Sequence, residues 1–274
     1  MYLRRVVVEN VRGFKALDFV LERGPDSYAG WTVITGSNAS GKTALLKAIS
    51  LALVGPDTAR SLQPTLDGWI SQTDDQALIA IELVAGDRDR FDAGRRYEKP
   101  FWAEFRLSRR NDHTVFHPTS EYGRKRKGPT RGPWQDVPEG WFGVGYGPFR
   151  RLYGHSPEAQ RLMSTKGKVS RFATMFREDA TLAESDLWLR DLNYRKLEGD
   201  EQAETVLNQM IQILNSNFLE NNLIVDRVDS DGLWLRQQDG TVLSLDNMSD
   251  GYRASLAMLV DIIRQLIDVY GSTE

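Results

Sequence analysis

The chain has 274 residues, a formal net charge of −3, 41% hydrophobic residues and 27% charged residues, which fits a globular protein with a real core in one large domain or two small ones. It has no cysteine, which excludes disulfides, thiolate zinc sites and cysteine nucleophiles and suits a reducing cytosol. The near-neutral charge excludes a molecule committed as a whole to nucleic acid and leaves room for a local basic patch.

The opening, Met1-Tyr2-Leu3-Arg4-Arg5, leads into a short valine run. With no signal peptide or membrane span legible, a cytoplasmic location is expected. Residues 3–22 predict two strands, with Val6, Val7 and Val8 in the first, Phe14, Leu17, Phe19 and Leu21 in the second, and Asn10-Val11-Arg12-Gly13 as the turn. Trp31-Thr32-Val33-Ile34-Thr35 predicts a short strand ending at Gly36. Ala44, Leu45, Ala48, Ile49, Leu51 and Leu53 then recur at helical spacing until Gly55-Pro56. Ala77 to Val84 predicts another strand.

Residues 86–140 lose apolar character and gain charge. They predict a short strand around Phe101 to Leu107 and then a mobile basic insertion, with Gly128-Pro129 and Gly132-Pro133 as breaks. Residues 156–219 predict a helical lobe, its apolar spacing carried by Leu187, Leu192, Val206, Met210, Ile213 and Leu214. Residues 223–245 predict a three-strand meander turning at Asp231-Gly232 and Asp239-Gly240. A final helix is expected from about Ser249 to Val269, with Leu256, Leu259, Ile263 and Leu266 on one face.

Gly36-Ser37-Asn38-Ala39-Ser40-Gly41-Lys42-Thr43 has the pattern G-x-x-x-x-G-K-S/T, between a predicted strand and a predicted amphipathic helix. Glycines let successive backbone N–H groups turn inward onto phosphates, and the helix end adds partial positive charge. Lys42 is expected to reach the β- and γ-phosphates, the Thr43 hydroxyl to ligate Mg²⁺, and the backbone through Ala44 to complete the cradle.

The chain resembles the ABC-type P-loop ATPase heads of the SMC/RecF/OLD-like branch. Asn10-Val11-Arg12-Gly13-Phe14 resembles their opening strand pair, and the glycine loop resembles their form with Asn at the third position, here Asn38. Asn247-Met248-Ser249-Asp250-Gly251-Tyr252-Arg253 resembles the ABC signature in its L-S-D-G form. Val144-Gly145-Tyr146-Gly147-Pro148-Phe149-Arg150 is similar to a segment of compact bacterial virulence- or defence-associated ATPases. The resemblance implies an α/β P-loop NTPase fold over residues 1–274. It would be an ABC-type head with a mixed sheet, N-terminal antiparallel strands, the helical lobe, and a meander plus signature helix at 223–269. It also implies ATP and Mg²⁺ as ligands and an ATP-sandwiched homodimer. In that dimer Ser249 and Gly251 of one head face the γ-phosphate held by Lys42 of the other. Arg12 and Lys15 stand where related heads place basic residues near the nucleotide; surface charge on a strand turn explains them equally well.

Hydrolysis in this family needs an apolar strand ending in Asp-Glu after the signature helix. Ala257-Met258-Leu259-Val260-Asp261 sits in a helical pattern, and Leu223-Ile224-Val225-Asp226 is followed by Arg227, so neither fits. His113, His117 and His155 come too early to be the family's switch histidine. Gln72, Gln76 and Gln160 all remain open as its Q-loop glutamine. The head therefore reads as incomplete, its carboxylate supplied by a further stretch of chain or another polypeptide. Tyr122-Gly123-Arg124-Lys125-Arg126-Lys127, with Arg131 and Trp134, is a basic run flanked by aromatics. It is either a solvated loop or a surface for DNA. Arg150, Arg151, Arg161, Lys166 and Lys168 add charge nearby in sequence.

The expected function is an ATP-binding head that closes on ATP to control a partner, such as a nuclease, in anti-phage defence or DNA repair. The alternative is a nucleotide-sensing scaffold that binds ATP without hydrolysis. A membrane transporter's ATP-binding subunit fits less well.

Overall fold

The computed structural model describes residues 1–24, 27–92, 99–110, 113–123, 127–148, 156–164, 167–216, 218–219 and 222–271. The chain divides into two compact units, Met1–Gly145 with Gly167–Phe176, and Tyr146–Lys166 with Arg177–Glu274.

In the first unit, β1 (Tyr2–Val11), β2 (Phe14–Val20), β3 (Gln76–Val84), β4 (Phe101–Arg110) and β5 (His113–Pro118) form one sheet in the order β2-β1-β3-β4-β5. Two-residue links join β1 to β2 and β4 to β5, which forces antiparallel neighbours. Every pairing among the described residues is antiparallel in this sheet and in the second. The expected mixed sheet is therefore antiparallel as described.

The three central strands of the sheet have buried residues on both faces. Val6 and Val8 of β1, Ile79 and Ile81 of β3, and Phe105 and Leu107 of β4 pack with Leu45, Ala48 and Leu51 of α1 (Lys42–Val54). Such burial contributes about 2 kcal/mol per large apolar side chain. On the opposite face Val7, Ala80 and Glu104 lie in one row across three strands, all buried. Glu104 is 2% exposed and accepts from the backbone N–H groups of Glu121, Tyr122 and Gly123 at 2.9–3.1 Å. Those three bonds let the carboxyl group lie inside. Tyr122 stacks on Trp102 at 4.8 Å and donates to Glu9 at 2.9 Å. The 86–140 segment thus supplies two strands and the cover of a sheet face, where one short strand and an insertion are expected.

The strand expected at Trp31-Thr32-Val33-Ile34-Thr35 is not formed. Both edges of β1 are taken by β2 and β3, and no described strand runs beside this segment. Trp31 and Val33 are 91% and 80% exposed. Gly55, at φ +86, ends α1 as its spacing predicts, and Pro56 opens α2 (Pro56–Leu62), which the pattern did not foretell. The unit also holds α3 (Lys127–Arg131) and α5 (Lys168–Phe176). Lys168 donates to the carbonyls of Val54, Pro133 and Gln135 at 2.7–3.2 Å, so it closes the C-terminal end of α1. Burial lowers its ammonium to about 8.

The second unit contains α4 (Pro157–Ser164), α6 (Ala183–Leu197), α7 (Glu201–Asn215), β6 (Ile224–Asp229), β7 (Gly232–Arg236), β8 (Val242–Ser244) and α8 (Asp250–Tyr270). β6-β7-β8 is the expected meander. Leu192, Val206, Met210 and Leu214 pack as their spacing predicts, but Leu187 and Ile213 are 48% and 40% exposed. The buried seam of α6 runs instead through Ser185, Leu189 and Leu192, and Leu187 falls on the far side of that helix. In α8 the buried positions are Leu256, Ala257, Val260, Asp261 and Gln265. Leu259 and Ile263 are only partly buried, and Leu266 is 36% exposed. No helix among the described residues is long and apolar enough to cross a membrane.

Candidate nucleotide-binding site

The glycine loop enters α1 through two turn residues with left-handed backbone, Ala39 at φ +64 and Gly41 at φ +89. Gly41 is the residue before the helix and offers no side-chain cap. The first amides of α1 are therefore left to an incoming acceptor, with the helix dipole behind them. A methyl group at Gly41 would stand 2.7 Å from the Phe14 ring, and one at Gly36 would stand 2.6 Å from the Ser40 hydroxyl. Only glycine lets the loop lie this close to its supports.

Lys42 folds back over the loop. Its Nζ donates to the carbonyls of Gly36 at 2.8 Å and Ser37 at 2.7 Å. The ammonium thus stands above the concave side of residues 36–40. Ser37, Asn38, Ala39, Ser40 and Thr43 are exposed, whereas the Ala44 methyl is buried beneath the helix. Only the backbone of Ala44 is available to a ligand.

The strand turn supports the loop through Phe14 rather than through a charge. Arg12 has φ +51, donates its N–H to the Trp69 carbonyl at 2.7 Å and lays its guanidinium over the Trp69 ring at 4.9 Å. Lys15 pairs with Asp74 at 2.8 Å, which holds Asp74 below the usual carboxylate range. Phe14 was legible as an apolar strand residue, but its role under Gly41 was not.

In the second unit, Ser249 precedes α8 and its hydroxyl accepts from the Tyr252 N–H at 3.4 Å. Gly251 lies in the first turn of the helix, exposed, and Arg253 pairs with Asp250. A cavity of about 270 Å³ opens beside this end, lined by Ser249, Gly251, Tyr252 and Ser255 on one side and Phe218 and Leu219 on the other.

Both aspartates that close apolar runs are engaged. Asp226 on β6 pairs with Arg227 at 3.0 Å and with Arg236. Asp261 is 1% exposed on α8 and pairs with Arg264 at 2.7 Å. No group of three His, Asp or Glu among the described residues could hold a metal ion. Gln76 at the start of β3 is bonded by Arg106. Arg124, Lys125 and Arg126 of the basic run, with Phe149, Arg150, Arg151, His155 and Lys166, lie outside the described residues, as does the Gln160 side chain; Lys127 opens α3 and is exposed. Lys168 donates to three carbonyls in the first unit.

Residues 5–127 match the family described as "AAA domain", just under half of the chain. A 55-residue stretch is 44% identical to the DNA double-strand break repair Rad50 ATPase of Methanosarcina mazei, covering 20% of this chain and 5% of that protein. Among solved structures, the Smc head domain of Pyrococcus furiosus, bound to the C-terminal domain of ScpA, is 15% identical, over 98% of this chain and 80% of that one, with a TM-score of 0.44. The SMC head domain of Thermotoga maritima is 12% identical, over 98% and 74%, with a TM-score of 0.40. Residues 5–127, with the glycine loop between their strands, are thus similar to the family described as "AAA domain".

Proposed function

We propose that this chain binds ATP with Mg²⁺ at residues 36–43 and pairs with a second copy on doing so. The observation that carries the reading is the pose of Lys42 over the Gly36 and Ser37 carbonyls, at a helix start with no cap of its own. A triphosphate entering there would replace those carbonyls as the lysine's partner and take up the first amides of α1. Thr43, exposed in that first turn, would give its hydroxyl to Mg²⁺. Gly36, Ser37, Asn38, Ala39, Ser40, Gly41 and the Ala44 amide form the cradle. Arg12, held over Trp69, would add positive charge beside it.

Ser249 and Gly251 of the second copy would close over the γ-phosphate. The resulting ATP-sandwiched dimer would control a partner, such as a nuclease, in DNA repair or anti-phage defence in the cytoplasm. The likeness to the Rad50 repair ATPase favours repair. DNA would be met through Arg124, Lys125, Arg126 and Lys127. The catalytic carboxylate would come from elsewhere, because Asp226 and Asp261 are both engaged. That same engagement favours the second reading, a sensor or scaffold that binds ATP without hydrolysing it.

Isothermal titration of the full chain with MgATP, and sedimentation with and without the nucleotide, test the first reading. One ATP bound per chain and a doubled mass support it. An unchanged mass at saturating ATP contradicts the dimer, and no heat of binding contradicts the site. Turnover by the dimer separates hydrolysis from sensing.

A further inference from the structure

α8 carries the signature residues at its start and a buried acid in its middle. Asp261 occupies a buried position of α8, beside Leu256, Ala257 and Val260. A buried carboxylate is kept only by partners, and this one has three. The Tyr146 hydroxyl donates at 2.7 Å, Arg264 at 2.7 and 3.2 Å, and the Ser185 hydroxyl at 3.4 Å. Burial and the neighbouring Asp261 raise the Tyr146 hydroxyl, so it stays a donor at any working pH.

Tyr146 is the first residue of the second unit; the residue before it, Gly145, is the last of that stretch of the first. Gly145 is pinned in its own unit. Its N–H donates to the Arg171 carbonyl at 2.9 Å and its carbonyl accepts from Thr174 at 3.4 Å. A methyl group there would stand 2.7 Å from the Phe172 ring. All three partners belong to α5, and α5 is tied to α1 by Met175 against Ser50 at 3.0 Å and by Lys168 on Val54. Successive residues of the chain are thus fastened to the helix that follows the glycine loop and to the helix that begins with the signature.

We infer that Tyr146 is a positioning residue: its bond to Asp261 sets the seating of α8, so that a change at the nucleotide loop reaches Ser249 and Gly251 through the Gly145–Tyr146 peptide. The inference rests on the ATP-sandwiched dimer proposed above. Loss of the hydroxyl leaves the glycine loop intact and loosens the link to the signature.

The test compares the full chain with Tyr146→Phe and Ser185→Ala. Both remove one hydroxyl from Asp261, but only the first lies at the crossover. Three quantities are read: ATP affinity by titration, thermal stability, and the ATP-dependent monomer–dimer constant by sedimentation. Tyr146→Phe is expected to keep its ATP affinity within about twofold and to dimerise about tenfold or more weakly, as the loss of a hydrogen bond to a charged group implies. Ser185→Ala is expected to dimerise as the parent does. Equal weakening in both variants, in step with lost stability, would show a merely structural role and overturn the inference. So would a Tyr146→Phe variant that dimerises normally beside a parent that dimerises. A parent that shows no ATP-dependent dimer overturns the dimer reading itself, and the inference with it.

Discussion

The start of α1 and the start of α8 are the two helix N-termini that the proposed dimer would bring to one phosphate, yet they are built differently. At α1 the preceding residue is Gly41, with no side chain to spend on the helix, and a lysine stands over the loop. At α8 the preceding residue is Ser249, whose own hydroxyl already accepts from Tyr252, and the first turn brings Asp250 with its partner Arg253. The first end leaves its amides and a cation to a ligand; the second has partly satisfied itself and carries the Asp250–Arg253 ion pair. A phosphate site that works alone needs the first arrangement. The second suits a half-site that adds to a phosphate already held elsewhere.

That contrast can be broken from the α1 side first. Lys42→Ala should weaken MgATP binding by about 10- to 100-fold, the range for a lost charge-assisted hydrogen bond, by isothermal titration. An affinity unchanged by this variant would place the nucleotide elsewhere. Gly41→Ala should lower stability by about 1–2 kcal/mol in urea unfolding, from its left-handed backbone and the Phe14 ring 2.7 Å from the added methyl. Its ATP affinity should fall as well, because the loop must move off its support.

On the α8 side the effects should be smaller. Ser249→Ala should cost about 0.5 kcal/mol, the low end for a helix cap, since the bond is 3.4 Å long. It should leave ATP affinity per chain unchanged and weaken only the dimer. A fall in single-chain affinity would mean that α8 is not a mere half-site.

The last effect lies outside both helix starts, at the closed end of α1. Lys168 is lowered to about 8 in the folded protein from an ordinary 10.5. Between those two values the unfolded chain holds more protons, so this group's contribution to stability rises with pH. Relative to Lys168→Met, the parent should gain melting temperature from pH 8 to pH 10, on the order of 5 °C. A gap that narrows over that window would reverse the assignment.

Much of the first unit was legible in the sequence because its signals are local. The glycine loop is a spacing, α1 ends where Gly55-Pro56 must end it, and a turn is expected within Asn10-Val11-Arg12-Gly13, where the structure narrows it to Arg12-Gly13 because Asn10 and Val11 stay in β1. What escaped depends on tertiary partners. Trp31-Thr32-Val33-Ile34-Thr35 has strand composition, but a strand exists only beside a neighbour, and among the described residues none is there. β5 hides because only Phe116 of its six residues is buried. The face of α8 was misjudged because Asp261 and Gln265 are polar in sequence and buried in the fold. Nothing in the spacing of Tyr146 and Asp261, 115 residues apart, announces their bond.

The central claim is that the bare end of α1 takes the nucleotide unaided whereas the α8 end adds to it only in a pair. Amide hydrogen exchange with and without MgATP, at a protein concentration too low for dimers, tests it most directly. Protection is predicted across residues 38–45 and none across 250–253, with the latter appearing as concentration is raised. Protection of 250–253 in the dilute protein without any at 38–45 would contradict it.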